Sequence, residues 1–261
     1  MRRLSFCLTF IVAFFLPSIV AAMSVTPIVL DMEAAGQKSR AQLRVANTGV
    51  GDIPVAITVN EVVLNEEGTP EYTIADDDFV IFPFQAIIPA GGTQVFRLQY
   101  VGDPDLEKSK SYIFSVVQQP VDLPEGVSGI QILYNFEVVG SVAPLGGKAD
   151  LTYLASDFMT REEKRRDEDG NDLVEQKRRV TLEVENPTNT HAYLSGSILE
   201  FTARNDDGSV AWKETYRPQD LAQTVGIGLV QPEMKRRFIL PFDVPEGGTS
   251  IETSIRYVGR P

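Results

Sequence analysis

Side chains able to do covalent chemistry are few in this chain. It holds one histidine, His191, and one cysteine, Cys7. A serine–histidine relay or a histidine-bearing metal site would have to use this one imidazole. His191 follows the turn Asn186-Pro187-Thr188 with no cysteine to join it, and a histidine so placed is ordinarily solvent-facing or packed. The run Asp167-Glu168-Asp169-Gly170-Asn171-Asp172 invites a calcium reading, but its glycine falls in the fourth place and no glutamate closes the loop. Asp169-Gly170-Asn171 is better hairpin-turn chemistry, set between two charged arms, Arg161 to Arg166 and Glu175 to Arg179. A hydrolase reading would have to pair a carboxylate from Asp76 to Asp78 with Glu66 or Glu67. Acidic runs of that kind are common in solvated turns. No phosphate-cradling loop or dinucleotide fingerprint occurs. The expectation is a protein that is not an enzyme and uses no metal or cofactor.

Recognition chemistry is better represented. In Gly129-Ile130-Gln131-Ile132-Leu133-Tyr134-Asn135-Phe136-Glu137-Val138-Val139-Gly140, every second residue from Ile130 to Val138 is large and apolar. In an extended chain Ile130, Ile132, Tyr134, Phe136 and Val138 therefore project from one face. Val127-Ser128-Gly129 precedes the run and Pro144 with Leu145-Gly146-Gly147 follows it, so it reads as a long strand entering a hinge. It is either a core strand of its own sandwich or an edge strand that offers its apolar row to another polypeptide.

Arg2 and Arg3 precede an apolar run from Leu4 to Val20, and Val20-Ala21-Ala22 supplies small residues for cleavage after Ala22. Residues 1–22 are read as an export signal that carries Cys7 away with it. With 36 acidic against 24 basic residues and a net charge of −12, nucleic acid is not an expected partner. Beyond the signal, turn residues punctuate short alternating runs such as Arg40-Ala41-Gln42-Leu43-Arg44-Val45, and no helical period is sustained. That pattern predicts an all-β chain. About seven strands fall before Pro144, as an immunoglobulin-like sandwich requires. After Gly146-Gly147 the run Arg179 to Thr188 repeats the pattern of Ala41 to Thr48, each ending an alternating strand on an asparagine. The expected architecture is two immunoglobulin-like β-sandwich domains in tandem, residues 23–144 and 145–261, joined by a short hinge.

At this point the chain resembles the periplasmic pilus-assembly chaperones of the chaperone–usher, or PapD-like, family. The likeness rests on four places: the strand ending at Asn47, the passage Phe82 to Leu98 with its proline loop and arginine strand, the run Ile130 to Pro144, and the Asn186-Pro187-Thr188 turn. What it implies is donor-strand complementation. A pilin subunit is a sandwich lacking its last strand, and the chaperone lends its own strand until an outer-membrane usher receives the subunit. Pilin complementation is itself a standing example of recognition by strand addition, in which backbone pairing supplies affinity while alternate side chains set register. Residues 130–139 would be the donor strand, with Ile130, Ile132, Tyr134, Phe136 and Val138 filling the subunit's groove. The implied location is the periplasm. An exposed apolar row is also a hazard, so the free protein is expected to cap it by self-association or with the loop Leu123 to Ser128.

Two departures from the family pattern stand out. Its members grip the subunit's terminal carboxylate with an arginine and a lysine, and the matching positions here are Pro27 and Val139. The acidic partner expected for Arg97 falls at Lys110. A substitute carboxylate anchor would have to come from Arg97 and Lys110, or from Arg40 and Arg44. This points to a divergent, non-standard branch. The alternative is an immunoglobulin-like structural or adhesive module of a cell-surface assembly, with the Ile130 to Val138 strand buried in its own sheet.

Overall fold

The computed structural model describes residues 23–121, 132–166 and 172–259. The export signal, Ile130 of the apolar row, the loop Leu123 to Ser128 and the turn Asp169-Gly170-Asn171 lie outside the described residues.

Among the described residues ten strands make the first sandwich: β1 (Met23–Thr26), β2 (Val29–Glu33), β3 (Arg40–Asn47), β4 (Ile53–Leu64), β5 (Pro70–Ile74), β6 (Phe79–Phe82), β7 (Gln85–Ile88), β8 (Thr93–Tyr100), β9 (Lys110–Gln118) and β10 (Asn135–Ala143). One sheet runs β1-β3-β8-β6; the other runs β2-β10-β9-β4-β5, with β7 also paired to β4. The alternation seen in the sequence decides what faces inward. Leu43 and Val45 of β3 and Phe96 and Leu98 of β8 meet Tyr112, Phe114 and Val116 of β9 in one core. Phe79 closes it, edge-on to Tyr112 at 4.8 Å and to Phe114 at 4.9 Å. Each fully buried side chain of this size contributes about 1.5–3 kcal/mol. The stretch Ser24 to Met32, continuous in sequence, divides into β1 and β2, which belong to different sheets. Pro27 lies at the crossing, where a residue without an N–H costs no ladder bond.

The second sandwich comprises β11 (Thr152–Arg166), β12 (Asp172–Glu185), β13 (Ala192–Tyr193), β14 (Ser197–Arg204), β15 (Val210–Tyr216), a short helix α1 (Pro218–Thr224), β16 (Leu229–Val230), β17 (Lys235–Leu240) and β18 (Ser250–Tyr257). Its sheets run β11-β12-β17 and β15-β14-β18, with β13 and β16 forming a separate pair. Leu182, Leu199, Phe201, Leu221 and Leu240 fill a second core. The chain is thus all-β with two sandwiches in tandem. The charged arms expected to form a hairpin do pair, from Arg166 opposite Asp172 inward.

The repeat noticed in sequence has a physical basis. Asn47 Nδ2 donates to the Gly51, Ile88 and Pro89 carbonyls at 2.7–3.1 Å, while its Oδ1 accepts from the Gly49 N–H. Asn186 Nδ2 likewise donates to the Thr190 and Val230 carbonyls, and its Oδ1 accepts from the Thr188 N–H. Each buried amide ties a strand end to a turn whose backbone would otherwise be unsatisfied.

Candidate functional site: an open strand edge beside an apolar cleft

The candidate site is built on β10. Antiparallel to it lies β9, in a register that sets Phe136 opposite Val116 and Val138 opposite Phe114. Along its other edge lies β2, parallel, but only from Val139 opposite Val29 onward. The Gln118 N–H donates to the Tyr134 carbonyl, so even-numbered residues bond toward β9, and the Val139 N–H donates to the Ile28 carbonyl, so odd-numbered residues bond the other way. Asn135 and Glu137 therefore aim their backbone groups at an edge where, among the described residues, no strand pairs with them. The edge opens there because β2 ends and the chain crosses to the other sheet at Pro27.

The apolar row divides along its length. Val138 is 0% exposed and belongs to the first core, with Gly140 behind it. A Cβ at Gly140 would collide with the Phe114 ring, which explains the glycine. Phe136 and Tyr134 are half-buried against the same core, their rings stacked at 6.3 Å between centroids. Ile132 is 73% exposed. The row passes from core to solvent within seven residues. The Val138 side chain serves its own domain and its backbone faces β9, so the groups on offer to a partner are those of its odd-numbered neighbours.

Of the two candidate pairs, Arg97 and Lys110 stand on different sheets, whereas Arg40 and Arg44 share one outward face of β3. Lys110, on β9, reaches Glu61 Oε2 at 3.1 Å and Asp78 Oδ2 at 3.6 Å. Asp78 also accepts from the Tyr112 hydroxyl at 2.6 Å, and burial followed by this bond pushes the Tyr112 pKa well up. Asp78 is thereby engaged away from Glu66 and Glu67. Arg40 and Arg44 of β3 and Arg97 of β8 stand on the outer face of the other sheet, with Gln42 directly opposite Arg97. That sheet lies across the sandwich from β10, about 10 Å away.

A cation that sequence reasoning missed lies where the two sandwiches meet. A cleft of about 430 Å³ is lined by Val62, Leu64, Ile113 and Val139 from one side and by Ile227, Leu229 and Phe238 from the other. Arg236 of β17 enters it. Arg236 Nη1 donates to the Leu229 carbonyl at 2.8 Å, its guanidinium lies over the Phe238 ring at 4.9 Å, and its Nε is buried with no hydrogen-bond partner among the described residues. Burial, with no anion beside it among the described residues, lowers its pKa from the usual guanidinium value. Gly68, at φ +84°, lets Arg236 Nη2 pack against its backbone, where any Cβ would collide. Val139, one of the two positions where the family resemblance expects a basic residue, lines this same cleft.

His191 has a structural place. It is buried, with Nδ1 3.1 Å from Ser109 Oγ and Nε2 3.3 Å from Asp31 Oδ1. The trio has the order of a catalytic relay, yet Ser109 is itself buried and its hydroxyl also accepts from the His191 backbone N–H. Tyr193 donates to Asp31 at 2.7 Å, and Gln231 donates to the Val62 carbonyl while accepting from the Leu64 N–H. These bonds join the sandwiches beside the cleft. Among the described residues no group of three or more metal-ligating side chains occurs.

No model of a known protein family matches the chain, and no curated protein sequence matches it. Solved structures do. The class 5 fimbriae chaperone CfaA is 14% identical, with 90% of this chain and 99% of that one covered and a TM-score of 0.51. A chain from a chaperone–tip adhesin complex of CFA/I fimbriae biogenesis is 15% identical, with 91% and 98% covered and a TM-score of 0.50. The fold is that of the two-domain fimbrial chaperones. At these identities the likeness carries the architecture, two sandwiches in the same tandem order over nearly the whole length of each chain. The functional residues rest on the geometry just described.

Proposed function

We propose that this chain is a periplasmic chaperone that holds fimbrial subunits by lending them the strand 130–139 and delivers them to an outer-membrane usher, doing no covalent chemistry. The observation that carries this reading is the open edge of β10. Its odd-numbered backbone groups at Asn135 and Glu137 face away from β9 just beyond the end of β2, and beside them the apolar row grades from buried Val138 to exposed Ile132. An incomplete sandwich added at that edge would gain ladder bonds and cover Ile130, Ile132, Tyr134 and Phe136, extending the core that Val138 closes. Arg236, desolvated and without an anion in the adjoining cleft, takes the place of the family's carboxylate grip at Pro27 and Val139. Removal of residues 1–22 on export and self-association of the free protein through the same edge belong to this reading.

The test is periplasmic co-purification with tagged wild type beside Ile132→Asp/Glu137→Pro. Neither substitution removes a backbone donor facing β9, so the variant is expected to fold, checked by its circular dichroism. Stoichiometric recovery of a small β-sandwich subunit with wild type alone supports strand lending. Equal recovery with both proteins, or none with either, gives way to the structural-module alternative.

A further inference from the structure

The outer face of the β1-β3-β8-β6 sheet is unlike the rest of the molecule. Arg40 and Arg44 of β3 and Arg97 of β8 all point outward there, and none of the outward positions on the four strands is acidic. The chain as a whole carries 36 acidic residues against 24 basic, so a sheet face with three guanidiniums and no carboxylate runs against its composition. None of the three makes an ion pair or side-chain hydrogen bond among the described residues, where nine other lysines and arginines are ion-paired. Beside them Val80 is exposed and Phe82 is 67% exposed. Arg40, Arg97, Val80 and Phe82 line one shallow pocket of about 600 Å³.

The register fixes the spacing of the charges. Arg97 is opposite Gln42 on one side and Phe82 on the other, so Arg40 and Arg44 are its two diagonal neighbours across the β3–β8 pair. Diagonal positions on one face of a sheet are about 7–8 Å apart. That is within a Debye length at physiological salt, so the three cations repel one another. Same-face residues two apart in an extended segment are about 6.8 Å apart. An extended segment with acidic residues at alternate positions thus presents carboxylates at the interval of the arginines. Arginine receives a carboxylate through a bidentate fork, and arginine with an exposed aromatic is the pairing that concentrates binding energy at protein interfaces. An anionic membrane fits less well, because the strongly negative remainder of the chain would be repelled by it.

We propose that this face docks an extended acidic segment of a partner protein, with carboxylates two residues apart over Arg40, Arg97 and Arg44 and an apolar side chain against Val80 and Phe82. The site lies across the sandwich from the open edge of β10 and is independent of strand lending. The probe is a fluorescent peptide carrying glutamates two residues apart and a phenylalanine two residues further on, titrated into the full mature chain. Wild type binds it more weakly as salt rises, and Arg40→Gln/Arg44→Gln/Arg97→Gln loses at least tenfold in affinity with unchanged near-ultraviolet dichroism. A peptide of the same composition with adjacent glutamates binds more weakly than the spaced one. Ile132→Asp/Glu137→Pro binds the spaced peptide as wild type does. Equal binding by wild type and the triple glutamine variant, or indifference to glutamate spacing, overturns the proposal. Binding to phosphatidylglycerol vesicles without peptide binding overturns it in favour of a membrane surface. Self-association abolished by the glutamines, again without peptide binding, overturns it in favour of a second copy.

Discussion

The Val139 N–H donates to the Ile28 carbonyl at 3.1 Å, and this is the last rung between β10 and the chain leading into β2. On the same edge, Glu137 and Asn135 come next along β10. The end of β2 thus determines where an added strand could begin to pair. Glu137→Pro removes a donor only from that outward edge, so it should leave the thermal midpoint within a few degrees of wild type while abolishing subunit recovery. Val138→Pro removes a ladder donor facing β9 inside the core and leaves its acceptor unsatisfied, and should cost about 1–3 kcal/mol. Thermal unfolding beside co-purification separates the two.

Arg236 makes the reverse prediction for stability and binding. A guanidinium buried without an anion is held at a cost, so Arg236→Met should melt no lower than wild type. If it grips a terminal carboxylate, its loss should weaken subunit binding by roughly 1.5–3 kcal/mol, about ten- to a hundredfold. Amidating the subunit's C-terminus should cause the same loss, and the two changes together should not add. Additive losses would place the carboxylate elsewhere.

Gly140 tests the packing behind the donor edge. Gly140→Val should drive a side chain into the Phe114 ring and cost about 1–3 kcal/mol. The effect should show as a lower unfolding midpoint in urea with an unchanged denaturant slope.

The long hairpin carries a pH signal whose sign can be worked out. Arg179 donates to both Glu163 oxygens at 2.7 Å and holds that carboxyl below the ordinary carboxylate range. A depressed folded value means that the pairing stabilises above about pH 4.5, the carboxyl's ordinary value, and that its contribution is lost as pH falls through the folded value. Stability of wild type should therefore drop more steeply below pH 4.5 than that of Glu163→Gln, measured as unfolding midpoint against pH.

Much of the architecture was legible because alternation is a local property. Leu43 and Val45 between Arg40, Gln42 and Arg44 announced a half-buried strand, and Asn47 and Asn186 announced matching turns. The crossing of β1 and β2 between sheets was hidden, since Ser24 to Met32 reads as one strand and only Pro27 hints at the break. Nor does the sequence of 192–201 announce the single turn of 3₁₀-helix at Leu194–Gly196 that separates β13 from β14. The apolar row from Ile130 was found in sequence, but its division into buried Val138 and exposed Ile132 depends on where β9 and β2 stop. Arg236 was missed inside Lys235-Arg236-Arg237, which looks like a solvated basic run. Its parity was the available signal: Arg236 shares a strand face with Phe238 and Leu240, both buried. His191 was read as an isolated imidazole because its partners, Asp31 and Ser109, come from the other sandwich.

The central claim is that a subunit pairs with the odd-numbered edge of β10. Its most direct measurement is amide hydrogen exchange across Ile132–Gly140, in the free protein and in the co-purified complex. The account predicts that the Asn135 and Glu137 amides exchange rapidly when free and become protected when bound, while the Phe136 and Val138 amides, bonded toward β9, are protected in both states. Unchanged exchange at Asn135 and Glu137 in the complex would contradict it.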